Sequence, residues 1–324
     1  MLLRKTLLMI IASALIACGN VTATAPLKPT QEPDPIASAP PASVIPSETP
    51  RLITAGDLTD TPRPAEPATT PITVITPTPL AWQDLPIVPQ GVSDRMRDVY
   101  KRGQELGRNP QAFAKVGDCG GTPSWFLGPF DGDPDLYRLG EYTYLQEMID
   151  YFKGSFARDS VATRPGFNTS SIFSSLWADP AQCKPNEGPL ICELRLTNAS
   201  YAFIMMGSND VWHPAEFEPQ MQRAIEDLLE RGVVPILTTK ADDVEQDGSI
   251  NATIARLAFE YELLLWNFWR AALALPDHGL QEDGVHLTWA GPRFDDAKAM
   301  SHGWPVRNLT ALQTLDAVWR GVTK

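Results

Sequence analysis

Apolar runs alternate with amphipathic segments along the last two thirds of the chain, and this alternation gives the first structural prediction. Short, nearly continuous apolar runs are typical of strands buried on both faces, and they predict strands at 112–116, 201–206, 233–237 and 263–266. Apolar residues at helical spacing predict helices at 95–106, 142–152, 219–231, 250–261 and 309–320. Strands that alternate with helices favour one α/β domain with three layers, in which helices flank a doubly wound, mostly parallel sheet.

Individual residues mark the ends of these elements. Ser93 is placed to cap the first helix, because its hydroxyl can accept a hydrogen bond from an amide of the first turn. Gly232 is placed to end the helix predicted at 219–231. Pro235 is unfavourable in the middle of a sheet, because proline has no N–H to donate to a neighbouring strand.

Three polar motifs follow the predicted strands in a fixed order. Gly-Asp-Cys at 117–119 closes the first run, and Gly-Ser-Asn-Asp at 207–210 closes the second. Asp-Gly-Val-His at 283–286 follows the last strand after a longer loop. Each motif alone is typical of a turn. Ligands of parallel sheets bind beyond the carboxyl ends of the strands, so the first two motifs indicate a site at that edge.

The residue types in these motifs fit acyl transfer. That chemistry needs a nucleophile, a base that takes its proton, a group that orients the base, and donors for the developing oxyanion. Cys119 is the candidate nucleophile and His286 the candidate base, with Asp283 three residues earlier as the orienting group. The side-chain amide of Asn209 and the backbone amide of Cys119 are candidate oxyanion donors.

In order and spacing, these motifs resemble those of the SGNH (GDSL-like) esterase and lipase superfamily. The resemblance covers residues 91–324 and implies the flavodoxin-like fold of that family. In the family the nucleophile is the serine of a Gly-Asp-Ser motif, whereas this chain has Cys119 at that position. The resemblance also implies a glycine amide as third oxyanion donor. Gly166 is our choice, and Asn168 is a competing candidate.

The N-terminal segment predicts export and a lipid anchor. Residues 1–17 have a basic start and a short apolar stretch, as a signal peptide does. Leu-Ile-Ala-Cys at 15–18 resembles the lipobox of bacterial lipoproteins, which implies acylation of Cys18. The alternative is an ordinary secretory signal with an incidental cysteine. We therefore expect an extracytoplasmic protein that is lipid-anchored to a bacterial membrane through Cys18.

Composition divides the chain into a predicted tether and a predicted domain. Residues 18–90 are rich in Pro, Thr and Ala and hold more than half of the 30 prolines, so they predict an extended tether that buries no core. Residues 91–324 form the predicted domain, which we expect to be a monomer. The formal net charge of −12 disfavours nucleic acid as a partner.

The remaining cysteines, histidines and tryptophans give smaller predictions. Cys183 and Cys192 flank a short loop and are expected to form a disulfide in an exported protein, which would stabilise the fold by about 2.5–3 kcal/mol. No cofactor is expected, and no zinc site either, because His278 and His302 have no partners at ligand spacing. Trp212 and Trp289 lie beside the site motifs and are candidates for a platform under a sugar ring.

Two functions remain open at this point. In the first, the protein is a hydrolase or acyltransferase that acts on carboxylic esters, such as O-acetyl groups of carbohydrate, through Cys119, His286 and Asp283. In the second, the exchange of serine for Cys119 has ended catalysis, and the domain binds carbohydrate or another surface ligand. Sulfur is larger than oxygen, and small displacements of reacting atoms slow catalysis. The retained Asn209, Asp283 and His286 favour the enzyme.

Overall fold

Four parallel strands form the central sheet of the protein, whose structure, a computed structural model, describes residues 81–324. The predicted signal peptide, the lipidation residue Cys18 and the tether as far as residue 80 lie outside the described residues. The strands are β1 (Asn109–Gly117), β2 (Ala199–Met205), β3 (Val234–Thr238) and β4 (Leu264–Trp266), paired in the order β1-β2-β3-β4.

A single parallel bridge extends the sheet beyond β1. Thr163 pairs with Gly117, whose amide donates to Ala162 O and whose carbonyl accepts from the Arg164 amide. The chain therefore leaves β1 on one side, at Thr163, and returns on the other side as β2. This reversal is the point at which doubly wound sheets bind ligands.

Helices cover both faces of the sheet. They are α1 (Asp94–Glu105), α2 (Gln146–Tyr151), α3 (Pro189–Thr197), α4 (Pro214–Glu230), α5 (Ser249–Glu260), α6 (Phe268–Ala272) and α7 (Gly303–Thr323). Short 3-10 helices lie at Trp82–Asp84, Cys119–Gly121, Gly128–Asp131, Pro134–Leu136, Gly140–Leu145, Ser171–Phe173, Asp210–Trp212, Pro276–Gly279 and Ala299–Ser301.

Alternate residues of each strand enter two separate cores. Phe113, Phe203 and Ile236 point to one face, where they pack with residues of α1, α2 and α7. Ala114 and Ile204 point to the other face, where they pack with residues of α3, α4 and α5. The strands are buried on both faces for this reason, and the predicted three-layer α/β/α fold is confirmed.

The predicted elements are largely present, with informative differences at two prolines. Ser93 caps α1 and accepts from the Met96 amide at 3.2 Å, as predicted. Helix α4 begins at Pro214 rather than at 219, because proline is tolerated in a first turn and buried Phe217 extends the apolar stripe by one turn. Pro235 lies inside β3, between β2 and β4, despite its missing N–H. The segment 142–152 is helical only in part, with a 3-10 helix as far as Leu145.

The ordered domain includes residues that composition assigned to the tether. The backbone oxygens of Trp82 and Leu85 accept hydrogen bonds from the side-chain amide of Asn267 at 2.9 and 3.1 Å. The Trp82 ring packs edge-on against Trp269, with centroids 4.8 Å apart. The segment 81–90 is therefore bound to the domain, ahead of the boundary at 91 expected from composition.

Cys183 and Cys192 form a disulfide, as predicted. The loop that it closes leads into α3 and packs against the segment before it, where a side chain on Gly188 would lie 2.6 Å from Phe173 O. Across residues 81–324, no helix combines the length and the hydropathy that a membrane crossing needs.

Candidate active site

Cys119 lies at the carboxyl edge of the sheet, two residues beyond the end of β1. It is the first residue of the 3-10 helix Cys119–Gly121, which Asp118 caps by accepting from the Gly120 amide at 2.8 Å. Strand β1 itself approaches its neighbour closely, since a side chain on Gly117 would lie 2.8 Å from Met205 O. The Gly-Asp-Cys motif thus ends a buried strand, turns sharply and presents a partly exposed thiol.

His286 and Asp283 lie on one loop, residues 280–288, which we call the base loop. An antiparallel bridge between Leu280 and Leu287 closes it, and Gly284 makes the turn with φ +69°. Thr288 anchors its end, because the Thr288 hydroxyl donates to Gly279 O and accepts from the Gly303 amide at the start of α7. The base loop is therefore fixed to the helix that packs behind it.

The structure brings Cys119, His286 and Asp283 together in that order. Cys119 Sγ lies 3.9 Å from His286 Nε2, and His286 Nδ1 lies 2.6 Å from Asp283 Oδ2. A proton on Nδ1 that is donated to Asp283 leaves the lone pair on Nε2, which faces the sulfur. The candidate nucleophile, base and orienting group are thus in a chain of contacts, in the order that a catalytic triad requires.

Asp283 is held in its charged form by its neighbours. Burial acts to raise its pKa, but hydrogen bonds from the Val285 and His286 amides and from the His286 ring outweigh it and lower the pKa. Both amides donate to Asp283 Oδ1 at 2.9 Å, while Oδ2 receives the imidazole. The carboxylate therefore both shapes the turn and orients the ring.

Asn209 lies at the end of β2, on the loop of residues 207–212 that we call the donor loop. Its side-chain Nδ2 donates to Phe167 O at 2.9 Å, and one further N–H remains on the same nitrogen. The next residue, Asp210, accepts from the Thr169 amide at 2.9 Å and from the Thr169 hydroxyl at 2.5 Å. Two adjacent donor-loop residues thus bind the segment that follows Thr163.

That segment carries Gly166 and Asn168, the two candidates for the third oxyanion donor. Asn168 makes contacts within its own turn, because its side-chain oxygen accepts from the Ser171 amide and hydroxyl and its amide donates to Ser171 Oγ at 3.4 Å. Gly166 has φ +82°, a left-handed conformation that favours glycine. The Asn168 amide donates to Ser171 Oγ, whereas within residues 81–324 the Gly166 amide has no acceptor. These contacts favour Gly166.

A buried ionic group behind the donor loop was missed in the sequence. Ser208 Oγ donates to Asp242 Oδ2 at 2.6 Å, and Lys240 Nζ donates to Asp242 Oδ1 at 2.7 Å and to Glu245 Oε2 at 2.5 Å. Lys240 and Asp242 follow β3, so they reach the same edge of the sheet as Asn209. Their position directly after a buried strand could have indicated that these polar residues lie near the site.

Arg307 was also missed, and it lies buried on α7 among aromatic rings. Its guanidinium carbon is 4.9 Å from the Phe268 ring centroid and 5.3 Å from that of Trp266. Burial lowers the pKa of Arg307 to about 10, and the charges of Asp118, Asp242 and Cys119 act in the opposite direction. Burial raises the pKa of Asp118, although the hydrogen bond from the Gly120 amide and the charge of Arg307 act to lower it. A positive charge therefore stands behind the Gly-Asp-Cys turn.

Four of the tryptophans are well exposed, and each lies on or against a segment of the site. Trp212 ends the donor loop and Trp289 follows the base loop, with exposed fractions of 74% and 61%. Trp177 packs edge-on against Phe167, whose carbonyl receives Asn209. Trp125 stacks on Trp304, which approaches the position of a side chain on Gly120 to 3.9 Å. The exposed indoles, Trp125, Trp177, Trp212 and Trp289, are called the indole rim below.

Within the described part of the chain, the one group of three potential metal ligands is Cys183, Glu187 and Cys192. Its two sulfurs are joined in the disulfide, so this group offers no thiolates to a metal ion.

The chain matches no protein-family model and no curated protein. Among solved structures it is similar to a variant of Axe2, an acetyl xylan esterase from Geobacillus stearothermophilus, with 14% identity and a TM-score of 0.40 over 63% of this chain and 94% of that chain. It is also similar to a GDSL-like lipase from Bacteroides thetaiotaomicron, with 13% identity and a TM-score of 0.40 over 68% of this chain and 98% of that chain. The assignment of an activity therefore rests on the site.

Proposed function

We propose that this protein is an SGNH-like hydrolase of carboxylic esters in which Cys119 is the nucleophile, His286 the base and Asp283 the group that orients the base. The observation that carries the proposal is the chain of contacts from Cys119 Sγ to His286 Nε2 at 3.9 Å and from His286 Nδ1 to Asp283 at 2.6 Å. Three residues from two distant segments meet there in the order that acyl transfer requires.

The reaction has two steps. In the first, His286 Nε2 takes the thiol proton, Cys119 Sγ bonds to the acyl carbon, and the alcohol leaves with the proton from His286. In the second, His286 takes a proton from water, the resulting hydroxide attacks the thioester, and the carboxylic acid leaves as the thiol is restored. An acyltransferase differs only in that another alcohol replaces the water.

The oxyanion of each step faces the donor loop. Asn209 has one N–H of its side chain on Phe167 O and a second for the substrate, and the amides of Gly166 and Cys119 are the further donors. Donors of this kind contribute most when they are held in place before the reaction. The contacts of Asn209 and Asp210 with the Phe167–Thr169 backbone hold them in this way.

The indole rim supports a carbohydrate ester as substrate. Indole rings are broad and apolar with one polar N–H, and they suit the faces of sugar rings, which are apolar with polar edges. All four well-exposed tryptophans lie on or against site segments rather than elsewhere on the described surface. We infer an O-acylated saccharide whose sugar rings contact the indole rim and whose ester is attacked by Cys119.

Export and anchoring complete the proposal. We propose that Cys18 is acylated and holds the domain at a bacterial membrane through the Pro-rich tether. Mass spectrometry of the mature N-terminus tests this directly. An N-terminal residue other than a lipid-modified Cys18 contradicts the anchor and leaves the proposed reaction untouched.

Hydrolysis of a chromogenic acetate ester tests the reaction. Wild type and Cys119→Ser should both hydrolyse the ester, because serine restores the nucleophile common in the family, and Cys119→Ala should not. Equal, background rates in wild type, Cys119→Ser and Cys119→Ala contradict the proposed activity.

A second candidate function is a binding module without catalysis. The exposed indoles favour it as much as they favour an enzyme, since they can hold a glycan whether or not an ester is cleaved. Saccharide binding with no hydrolysis by wild type or by Cys119→Ser would select this second function.

A further inference from the structure

Asp242 lies shortly after β3 and is hydrogen-bonded to the donor loop. It belongs to none of the three sequence motifs. Ser208 Oγ donates to Asp242 Oδ2 at 2.6 Å, and Ser208 is the residue before Asn209. We propose that Asp242 is a positioning residue that holds Asn209 in place through Ser208, an inference that rests on the proposed function of Asn209 as an oxyanion donor.

Asp242 is itself fixed in one orientation. It is buried, and Lys240 Nζ donates both to its Oδ1 at 2.7 Å and to its backbone oxygen at 3.0 Å. Its two carboxylate oxygens therefore have different partners, the lysine on one and the serine on the other. A buried charge with both oxygens occupied is rigid, because any rotation leaves one hydrogen bond unmade.

Lys240 is fixed in turn by α5 and by Glu245. The side chain of Asn251 brackets its backbone, accepting from the Lys240 amide at 2.9 Å and donating to Lys240 O at 3.0 Å. Its ammonium also donates to Glu245 Oε2. The anchor for Ser208 is thus attached to the sheet and to a helix, and is not a mobile surface group.

The donor loop needs such an anchor because its backbone is unusual at its start. Gly207 has φ +132°, and a side chain there would lie 2.7 Å from Ile250 Cγ2. Glycine itself fixes no direction, since it is permissive in φ. The hydrogen bond from Ser208 to Asp242 and that from Asn209 to Phe167 O hold the loop on its two sides.

Ser208→Ala tests the proposal, because it removes one hydroxyl and leaves Asp242 paired with Lys240. We expect kcat for the acetate ester to fall about 10-fold with KM changed less than about 2-fold, since a small displacement of an oxyanion donor slows the chemical step. Ser208→Thr, which keeps the hydroxyl, should retain kcat within about 3-fold. Asp242→Asn keeps a carbonyl oxygen for Lys240 and turns its NH2 toward Ser208, so the serine hydroxyl can no longer donate there, and kcat should fall in the same direction as in Ser208→Ala.

Thr197→Val is the matched control. It also removes one hydroxyl, which donates to Glu193 O at 2.8 Å and accepts from the Ala199 amide at 3.4 Å, but at the end of α3, at the opposite edge of the sheet. It should leave kcat unchanged. A loss of kcat equal to that of Ser208→Ala would mean that general loosening of the domain is responsible, and would overturn the proposal.

Two further measurements separate positioning from a merely structural effect. Alkylation of Cys119 by iodoacetamide should proceed at the wild-type rate in Ser208→Ala, because the thiol and His286 lie on other loops. In an Asn209→Ala background, Ser208→Ala should lower kcat less than about 2-fold further, because residues that act through one group are not additive. Slowed alkylation, or a full additive loss, contradicts action through Asn209.

The inference can also be tested when no ester is hydrolysed, which would refute the proposed function alone. The Asn209 side-chain amide gives its own signals in a nitrogen–proton NMR spectrum of the full chain. Ser208→Ala and Asp242→Asn should both shift those signals and speed their hydrogen exchange, while Thr197→Val should not. Unchanged Asn209 signals in both variants would overturn the positioning role of Asp242.

Discussion

The base loop and the donor loop meet at one site but are built in opposite ways. On the base loop, His286 and Asp283 are three residues apart, nearly half exposed, and joined by contacts within a single turn. On the donor loop, Asp210 is buried and hydrogen-bonded to Thr169, which is 41 residues away in sequence. Ser208 is hydrogen-bonded to Asp242, which is 34 residues away in sequence. His286 and Asp283 are thus held together by contacts within their own turn, whereas the donor-loop residues are held by distant parts of the chain.

This difference matches the two tasks that we propose for these loops. A base that takes and returns a proton must exchange it with substrate and water, so exposure and local orientation suffice. Oxyanion donors must be fixed before the charge develops, because their contribution comes from preorganisation. Buried hydrogen bonds between segments provide that rigidity, at a cost in desolvation.

Removal of the base should have the largest effect. His286→Ala is expected to lower ester hydrolysis by about 10²–10⁴-fold, the usual contribution of a general base, and to slow alkylation of Cys119 by iodoacetamide as well. His278→Asn is a suitable control, because His278 is exposed and its φ of +55° is one that asparagine tolerates. Alkylation that is indifferent to His286 would show that the imidazole does not act on the thiol.

Removal of the oxyanion donor should have the next largest effect and a different signature. Asn209→Ala is expected to lower kcat about 10²–10³-fold while alkylation of Cys119 keeps its wild-type rate. Asn186→Gly, at an exposed position with φ +64°, is the control for loss of a carboxamide. Parallel losses of hydrolysis and alkylation in Asn209→Ala would mean that the two loops are not separate in function.

The stability of the domain should depend more on the donor side than on the base loop. Thr169→Val removes a buried hydroxyl from Asp210 and should lower the free energy of unfolding by about 1–3 kcal/mol. Asp283→Asn, at an exposed pair, should change it by less than about 1 kcal/mol. Urea unfolding of both variants at pH 7 measures the contrast, and a larger loss in Asp283→Asn would reverse it.

The smallest predicted effect is the opposite pH dependence of two aspartates. The pKa of Asp283 lies below 3.8, so its stabilisation is complete above pH 3.8 and is lost as the pH falls through its folded pKa. Burial raises the pKa of Asp210 above 3.8, against the hydrogen bonds from Thr169, so its charged form penalises the fold until the pH falls through that raised value.

Unfolding measured between pH 7 and pH 3 can detect these signs. As the pH falls, wild type should first gain stability relative to Asp210→Asn and later lose stability relative to Asp283→Asn. Slopes of equal sign for the two comparisons would contradict the structural contrast between the loops.

The sequence predicted the local half of the site better than the distant half. Asp283 and His286 are neighbours along the chain, and Cys119 and Asn209 directly follow apolar runs, so their positions at one edge followed from strand order alone. Asp242 and Arg307 carry no motif. Their roles depend on contacts between segments far apart in sequence, which hydrophobic periodicity does not record.

The fold was predicted to a similar extent. Continuous apolar runs predicted the buried strands, and the capping side chain of Ser93 predicted the start of a helix. The start of α4 at Pro214 and the central place of Pro235 depended on packing rather than on propensity, because buried Phe217 and the neighbouring strands override the preference of proline. Tertiary contacts decided what local rules left open.

The measurement that tests the central claim most directly is the capture of an acyl group on Cys119. The full chain is mixed with an activated acetate ester, quenched in acid within one turnover, digested and examined by mass spectrometry. We predict an acetyl thioester on Cys119 that forms rapidly in wild type. It should form more slowly in Asn209→Ala and should not form within the same time in His286→Ala. A chain that releases acetate with no acyl group on Cys119, or that acquires none and releases none, contradicts the proposal that this thiol is a nucleophile.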